Sequence, residues 1–141
     1  MKLQLVITCL SILCLLTVAC KSAKTAGISL TNTHWILVEV NGQPVIHAGL
    51  NKEASLQLAP EGNKLTGSTS CNRMFGTYTL SGNEKIQFSG IGSTRMACPD
   101  MSTETAFLKA LEATNSYGIS GKELLLKNDR NVVARLRVES F

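Results

Sequence analysis

The sequence predicts an α+β domain in which a strongly curved antiparallel β-sheet, an incomplete barrel, carries one packed α-helix. Three observations lead there. Strand-sized runs of β-forming residues recur from Asn32 onward, each ended by turn residues. Two interruptions, Pro60-Glu61-Gly62-Asn63 and Ser81-Gly82-Asn83-Glu84, have the composition of hairpin turns. One segment alone repeats its apolar residues at helical period.

The first strand is His34–Val40, with Trp35 as a core anchor whose indole N–H is satisfied near the surface, and it ends at the turn Asn41-Gly42-Gln43-Pro44. Ala54–Leu58 and Lys64–Ser68 flank the first hairpin turn, and Gly76–Leu80 and Lys85–Ser89 flank the second. The helix spans Met101–Asn115, up to residue 116, because Phe107, Ala110, Leu111 and Thr114 fall at i, i+3, i+4 and i+7. Pro99 precedes it, Asp100 or Ser102 can cap it, and Gly118 follows its end. Its charges, Glu104, Lys109 and Glu112, fall mostly away from the stripe, which must bury against the sheet. Tyr117–Ser120, Glu123–Lys127 and Val132–Val138 complete the sheet, broken at Gly121-Lys122 and Asn128-Asp129-Arg130-Asn131.

The chain has 141 residues, 44% hydrophobic and 17% charged, with a net charge of +4. That length suits one domain with one core. The composition excludes an acidic disordered tail, a multi-span membrane protein and a polybasic nucleic-acid domain, so no nucleic-acid partner is expected.

The N-terminus is an address label. Between Lys2 and Lys21 lie 18 uncharged residues, the pattern of a secretory signal peptide. As a membrane-spanning helix they would extend ~27 Å, short of a ~30 Å hydrocarbon core. Lys21 and Lys24 would also sit on the disfavoured side. Leu16-Thr17-Val18-Ala19-Cys20 resembles a bacterial lipobox, with Thr17 where Leu is more usual. This predicts a lipoprotein signal peptide over residues 1–19, lipidation at Cys20 and a tether over residues 20–31, ahead of a domain over residues 32–141. The rivals are a cleaved soluble protein and a helical anchor. Cys9 and Cys14 would leave with the signal. Lys21 after the lipidated cysteine resembles a sorting signal for the outer membrane, which makes the membrane itself the first partner.

Two irregular segments carry the most residue-specific pattern: Gly67-Ser68-Thr69-Ser70-Cys71-Asn72-Arg73-Met74-Phe75-Gly76-Thr77-Tyr78 and Gly92-Ser93-Thr94-Arg95-Met96-Ala97-Cys98-Pro99. A Cys-Asn-Arg element followed by Gly-x-Tyr, then Ser-Thr-Arg-Met-x-Cys before a helix, resembles the paired signatures of the META domain, or HslJ-like, family. The resemblance covers roughly residues 32–140, with the Trp35-x-Leu37 strand, the Asn41-Gly42 turn and the Leu124-Leu125-Leu126 strand in the expected order. It implies a curved, incompletely closed antiparallel barrel with a packed helix, and an envelope protein of a family that includes members named as heat-inducible. It does not imply a settled biochemical role.

Cys71 and Cys98 are the thiols that remain once Cys20 is acylated, and in an oxidising envelope an even pair predicts a disulfide. Closing that 28-residue loop is worth ~3.5 kcal/mol in the chain-entropy model. Two alternatives stand beside it. Cys98 near a helix N-terminus could be a reactive thiol with Cys71 as its resolving partner. A zinc site from Cys71, Cys98, His34 and His47 would lack ligand pairs at metal spacing.

Arg73 and Arg95, with Asn72, are the candidate binding residues, since guanidinium forks suit carboxylates and phosphates. The alternative has both arginines bonding loop carbonyls or a carboxylate such as Glu104. Asn72 is expected to bond its own backbone in a turn, Gly67 and Gly76 to allow a positive φ or a bulge, and Met74, Phe75 and Met96 to be core. No nucleophile elbow, catalytic triad, paired-carboxylate motif, Walker loop, dinucleotide fingerprint or metalloprotease motif occurs. The expectation is a non-enzymatic, cofactor-free, membrane-tethered binding or stability module with an envelope protein partner. A thiol-redox protein using Cys71 and Cys98 and an inhibitor of an envelope hydrolase are the rivals.

Overall fold

The computed structural model describes residues 27–46 and 52–139. The signal peptide over 1–19, Cys20, most of the tether and His47 lie outside the described residues.

Nine strands and one helix follow in the order β1 (His34–Val40), β2 (Gln43–Pro44), β3 (Ser55–Leu58), β4 (Lys64–Ser68), β5 (Arg73–Ser81), β6 (Lys85–Ser93), α1 (Ser102–Ala113), β7 (Ser116–Ser120), β8 (Glu123–Asn128) and β9 (Asn131–Val138). The strands form one antiparallel sheet in the order β2-β1-β3-β4-β5-β6-β7-β8-β9, and a further β1–β9 pairing bends it into a ring. The seam is at β6–β7, joined through the single pair Lys85↔Ser116. The helix, which separates these strands in sequence, packs against β1, β6, β8 and β9. This is the expected α+β architecture: a strongly curved sheet with one helix among the described residues.

Alternation along the strands and the stripe of the helix build one core. Trp35, Leu56, Leu65, Met74, Leu124 and Leu136 from the sheet meet Phe107 and Leu111 from α1, all at 2% exposure or less. The Trp35 indole donates to the Leu30 carbonyl at 3.0 Å, and Leu30 is itself buried, so packing reaches N-terminal of Asn32. The helix starts with Asp100 Oδ1 accepting the Ser102 amide at 2.8 Å. At its other end the Thr114 hydroxyl donates to the Ala110 carbonyl at 2.7 Å.

Two strands are longer than expected. β5 begins at Arg73 and β6 runs on to Ser93, so Arg73-Met74-Phe75 and Gly92-Ser93 are strand rather than loop. Their irregular look comes from a bulge in the β5–β6 register between Phe75 and Thr77, opposite Gly90 at φ +59°. Gly76 sits in that bulge, where a Cβ would lie 3.2 Å from the Ser89 carbonyl oxygen. Gly67 is needed for a different reason: its own Cβ would run into the Ser55 carbonyl of β3.

Candidate functional site

The β5–β6 register brings the two motif segments side by side, with Met74↔Ser93 and Phe75↔Gly92 as partners. Beyond the last pair, the Thr94 amide donates to the Arg73 carbonyl at 3.0 Å, and the Arg73 amide donates to the Thr94 hydroxyl at 3.1 Å.

Asn72 is the hub of this junction. It is 1% exposed, and its side-chain carbonyl accepts from the Thr94 hydroxyl at 2.9 Å and the Met96 amide at 2.8 Å. Its side-chain N–H donates to Glu104 Oε2 at 2.8 Å. Glu104, in the first turn of α1, is buried and forms no ion pair among the described residues. The Thr69 hydroxyl also donates to Oε2, at 2.6 Å, and the Ser93 hydroxyl donates to Oε1 at 2.9 Å. Burial pushes the Glu104 pKa up, but the hydrogen bonds from Thr69, Asn72 and Ser93 together outweigh it and hold the carboxyl below its ordinary range. Both motifs and the helix start are thereby tied to one carboxylate.

A disulfide joins Cys71 to Cys98, with Cα atoms 6.4 Å apart, as expected. It links the turn before β5 to the segment before α1. Ser70, between Thr69 and Cys71, holds φ +90°, a left-handed conformation that a non-glycine residue adopts at a cost.

Outside this junction, the outer face of β9-β1-β3-β4-β5 carries two rows of side chains set by register. One row is Arg137, Ile36, Ser55, Ser68 and Arg73. The next is His34, Gln57, Thr66 and Phe75, which ends against Gly92. From these rows His34, Ile36, Ser55, Thr66, Ser68 and Arg73 line a groove of about 1030 Å³ together with the motif turn, bordered by Lys52 and Glu53 ahead of β3 and by Cys71, Thr94 and Met96. Several of its charges are already committed: His34 Nδ1 bonds Glu139 Oε2 at 2.5 Å, and Glu53 sits 3.8 Å from Arg137 on the neighbouring strand, β9. Arg73 and Lys52 form no side-chain hydrogen bond or ion pair among the described residues.

The sequence-derived candidates therefore separate. Asn72 does not bond its own backbone through its side chain; it fastens three segments from beneath the groove. Arg73 lines the groove from the first position of β5. Arg95 lies on the exposed segment after β6, outside the groove lining. Neither guanidinium bonds Glu104, whose oxygens are taken by neutral donors. Met74 is core, as expected, whereas Phe75 and Met96 are 53% and 56% exposed. Phe75 points outward because a bulky ring fits over Gly92, whose Cβ would come within 2.9 Å of it. Lys52 and Ser55 went unflagged in the sequence, and Ser68, Thr69 and Ser93 stand in the motif segments with no role of their own. Glu104 could have been found, since it lies three residues before Phe107 and seven before Leu111, on the buried stripe.

The META domain family matches residues 28–140 of the chain. No curated protein matches it. Two proteins with structures determined by NMR share the fold. One is 22% identical, with a TM-score of 0.61 over 77% of this chain and 91% of its own. The other, from Burkholderia xenovorans, is 24% identical, with a TM-score of 0.62 over 79% of this chain and 85% of its own.

Proposed function

Since this chain belongs to the META domain family, we propose that it is a membrane-tethered, non-enzymatic binding or stability module of the bacterial cell envelope, lipid-anchored through Cys20 and working through the outer-face groove. The observation that carries the reading is the contrast between Asn72 and Arg73. Adjacent in sequence, one is buried and fully bonded, and the other is exposed with its guanidinium free. A rigid base with an unspent charge on its surface lowers the entropy lost when a partner binds. The lipobox-like Leu16-Thr17-Val18-Ala19-Cys20 supports the tether and the outer-membrane address.

A thiol-exchange role is favoured by one feature, the placement of Cys71 on the groove wall. Crosslinking in intact cells separates the readings. A photoreactive side chain introduced at Thr66 should give discrete adducts with an envelope component, weakened by Arg73→Ala. Thiol exchange predicts trapped mixed disulfides when Cys71 alone is replaced. Absence of any adduct would overturn the binding reading. Mass analysis of the N-terminus tests the tether, which an unmodified N-terminus away from Cys20 would refute.

A further inference from the structure

The geometry points to a short, extended acidic peptide as the ligand of the outer-face groove, with one carboxylate on the Arg73 guanidinium and a second on Lys52; this rests on the binding-module reading. Four features carry it. Of the basic residues lining the groove, Arg73 and Lys52 form no ion pair among the described residues, whereas His34 is held by Glu139 and the neighbouring Arg137 by Glu53. A planar guanidinium fork matches a carboxylate through two parallel hydrogen bonds. Ser55 and Ser68, between the flanks, keep the floor low, so an extended chain can approach the sheet closely. Phe75 and Met96 then place exposed apolar surface next to Arg73, one on the same strand face two residues on, the other on the groove rim.

Alternation of acidic and apolar side chains is a property of peptides, and it meets that mixture of cation and apolar surface. The other anionic ligands fit worse. A phosphate dianion seeks convergent cations, and here Glu53 and Glu139 share the groove wall with Arg73 and Lys52. A lipid surface requires cations that protrude to the headgroups, and these two border a recess. The same carboxylates act as a filter: they tolerate single charges spaced along a chain and repel a compact polyanion.

The test uses the full-length protein in detergent micelles with a fluorescein-labelled peptide of alternating glutamate and valine, read by fluorescence anisotropy. Its counterpart carries glutamine in place of each glutamate. The expected results are binding of the acidic peptide that weakens with added salt, and at least about tenfold weaker binding of the glutamine peptide. Arg73→Gln should weaken the acidic peptide about tenfold and Lys52→Gln several-fold, while Arg130→Gln, on the far β8–β9 turn, matches the unmodified protein. The proposal is overturned if the glutamine peptide binds as well, if Arg73→Gln changes nothing, or if inorganic phosphate or phosphatidylglycerol vesicles compete better than the peptide. Adducts in cells that depend on Arg73, alongside any of those results, would leave the binding module standing and remove only the acidic peptide.

Discussion

The side-chain N–H of Asn72 donates to the buried carboxylate of Glu104 at 2.8 Å, across 32 residues of sequence. The same amide's carbonyl holds Thr94 and Met96, so one side chain joins the turn before β5, the end of β6 and the start of α1. Truncating it strands a carboxylate lone pair, a hydroxyl and a backbone N–H together. Asn72→Ala should cost about 2–4 kcal/mol, and Asn72→Asp more, because it sets a second carboxylate against Glu104. Denaturant midpoints at constant slope measure both; equal stability of Asn72→Ala and the unmodified protein would remove Asn72 as the hub.

The Glu104 carboxyl gives the fold an acid limb. Its folded-state pKa is lowered, so its contribution is fully present above the ordinary glutamate range, near ~4.3, and is lost as pH falls through the lower folded value. Unfolding followed between neutral and strongly acidic pH should show stability falling in that window. Glu104→Gln should flatten this part of the profile while lowering stability at neutral pH. An unchanged acid limb in that variant would contradict the assignment.

The disulfide spans a sequence separation of 27, and removing it should cost about 3.5 kcal/mol. The segments it joins are also held by Asn72 and by the two Arg73–Thr94 hydrogen bonds. Cys71→Ser/Cys98→Ser should therefore remain folded, with a lower denaturant midpoint and an unchanged amide spectrum around Asn72. Collapse of that region on reduction would show that the covalent link, rather than the amide, sets the junction.

Two backbone positions have opposite expectations. Ser70 holds φ +90°, so Ser70→Gly should leave stability unchanged or raise it by up to about 1 kcal/mol. Gly67→Ala should lose about 2–3 kcal/mol, because the new methyl meets the rigid Ser55 carbonyl. Thermal unfolding of the pair measures both signs; a stabilised Gly67→Ala would mean that β3 and β4 do not approach so closely.

Much of this fold was legible because its signals are local. The stripe Phe107-Ala110-Leu111-Thr114 is buried, and the hairpin turns fall where Gly62 and Gly82 take positive φ. The site was only partly legible because its determinants are distant in sequence. Arg73 looks like a loop residue and Phe75 like core until the Gly76 bulge and the opposite Gly92 are seen, and both depend on β6. Glu104 falls on the buried stripe of its helix, three residues before Phe107, where a lone carboxylate is costly. Only the arrival of Thr69, Asn72 and Ser93 from other elements makes its burial tolerable. Only the end of the groove at the motif turn carries a sequence motif; the rest has none, because its rows are made by register across five strands.

Asn72 fastens the junction from within, and its neighbour Arg73 keeps an unpaired guanidinium on the groove. The most direct test measures stability and in-cell crosslinking yield on the same Arg73→Ala protein. Stability should stay within about 0.5 kcal/mol of the unmodified chain, as expected for an exposed, unpartnered side chain, while the Thr66 adduct weakens. A variant that loses stability by a kcal/mol or more while the adduct persists would contradict this and make Arg73 a structural residue.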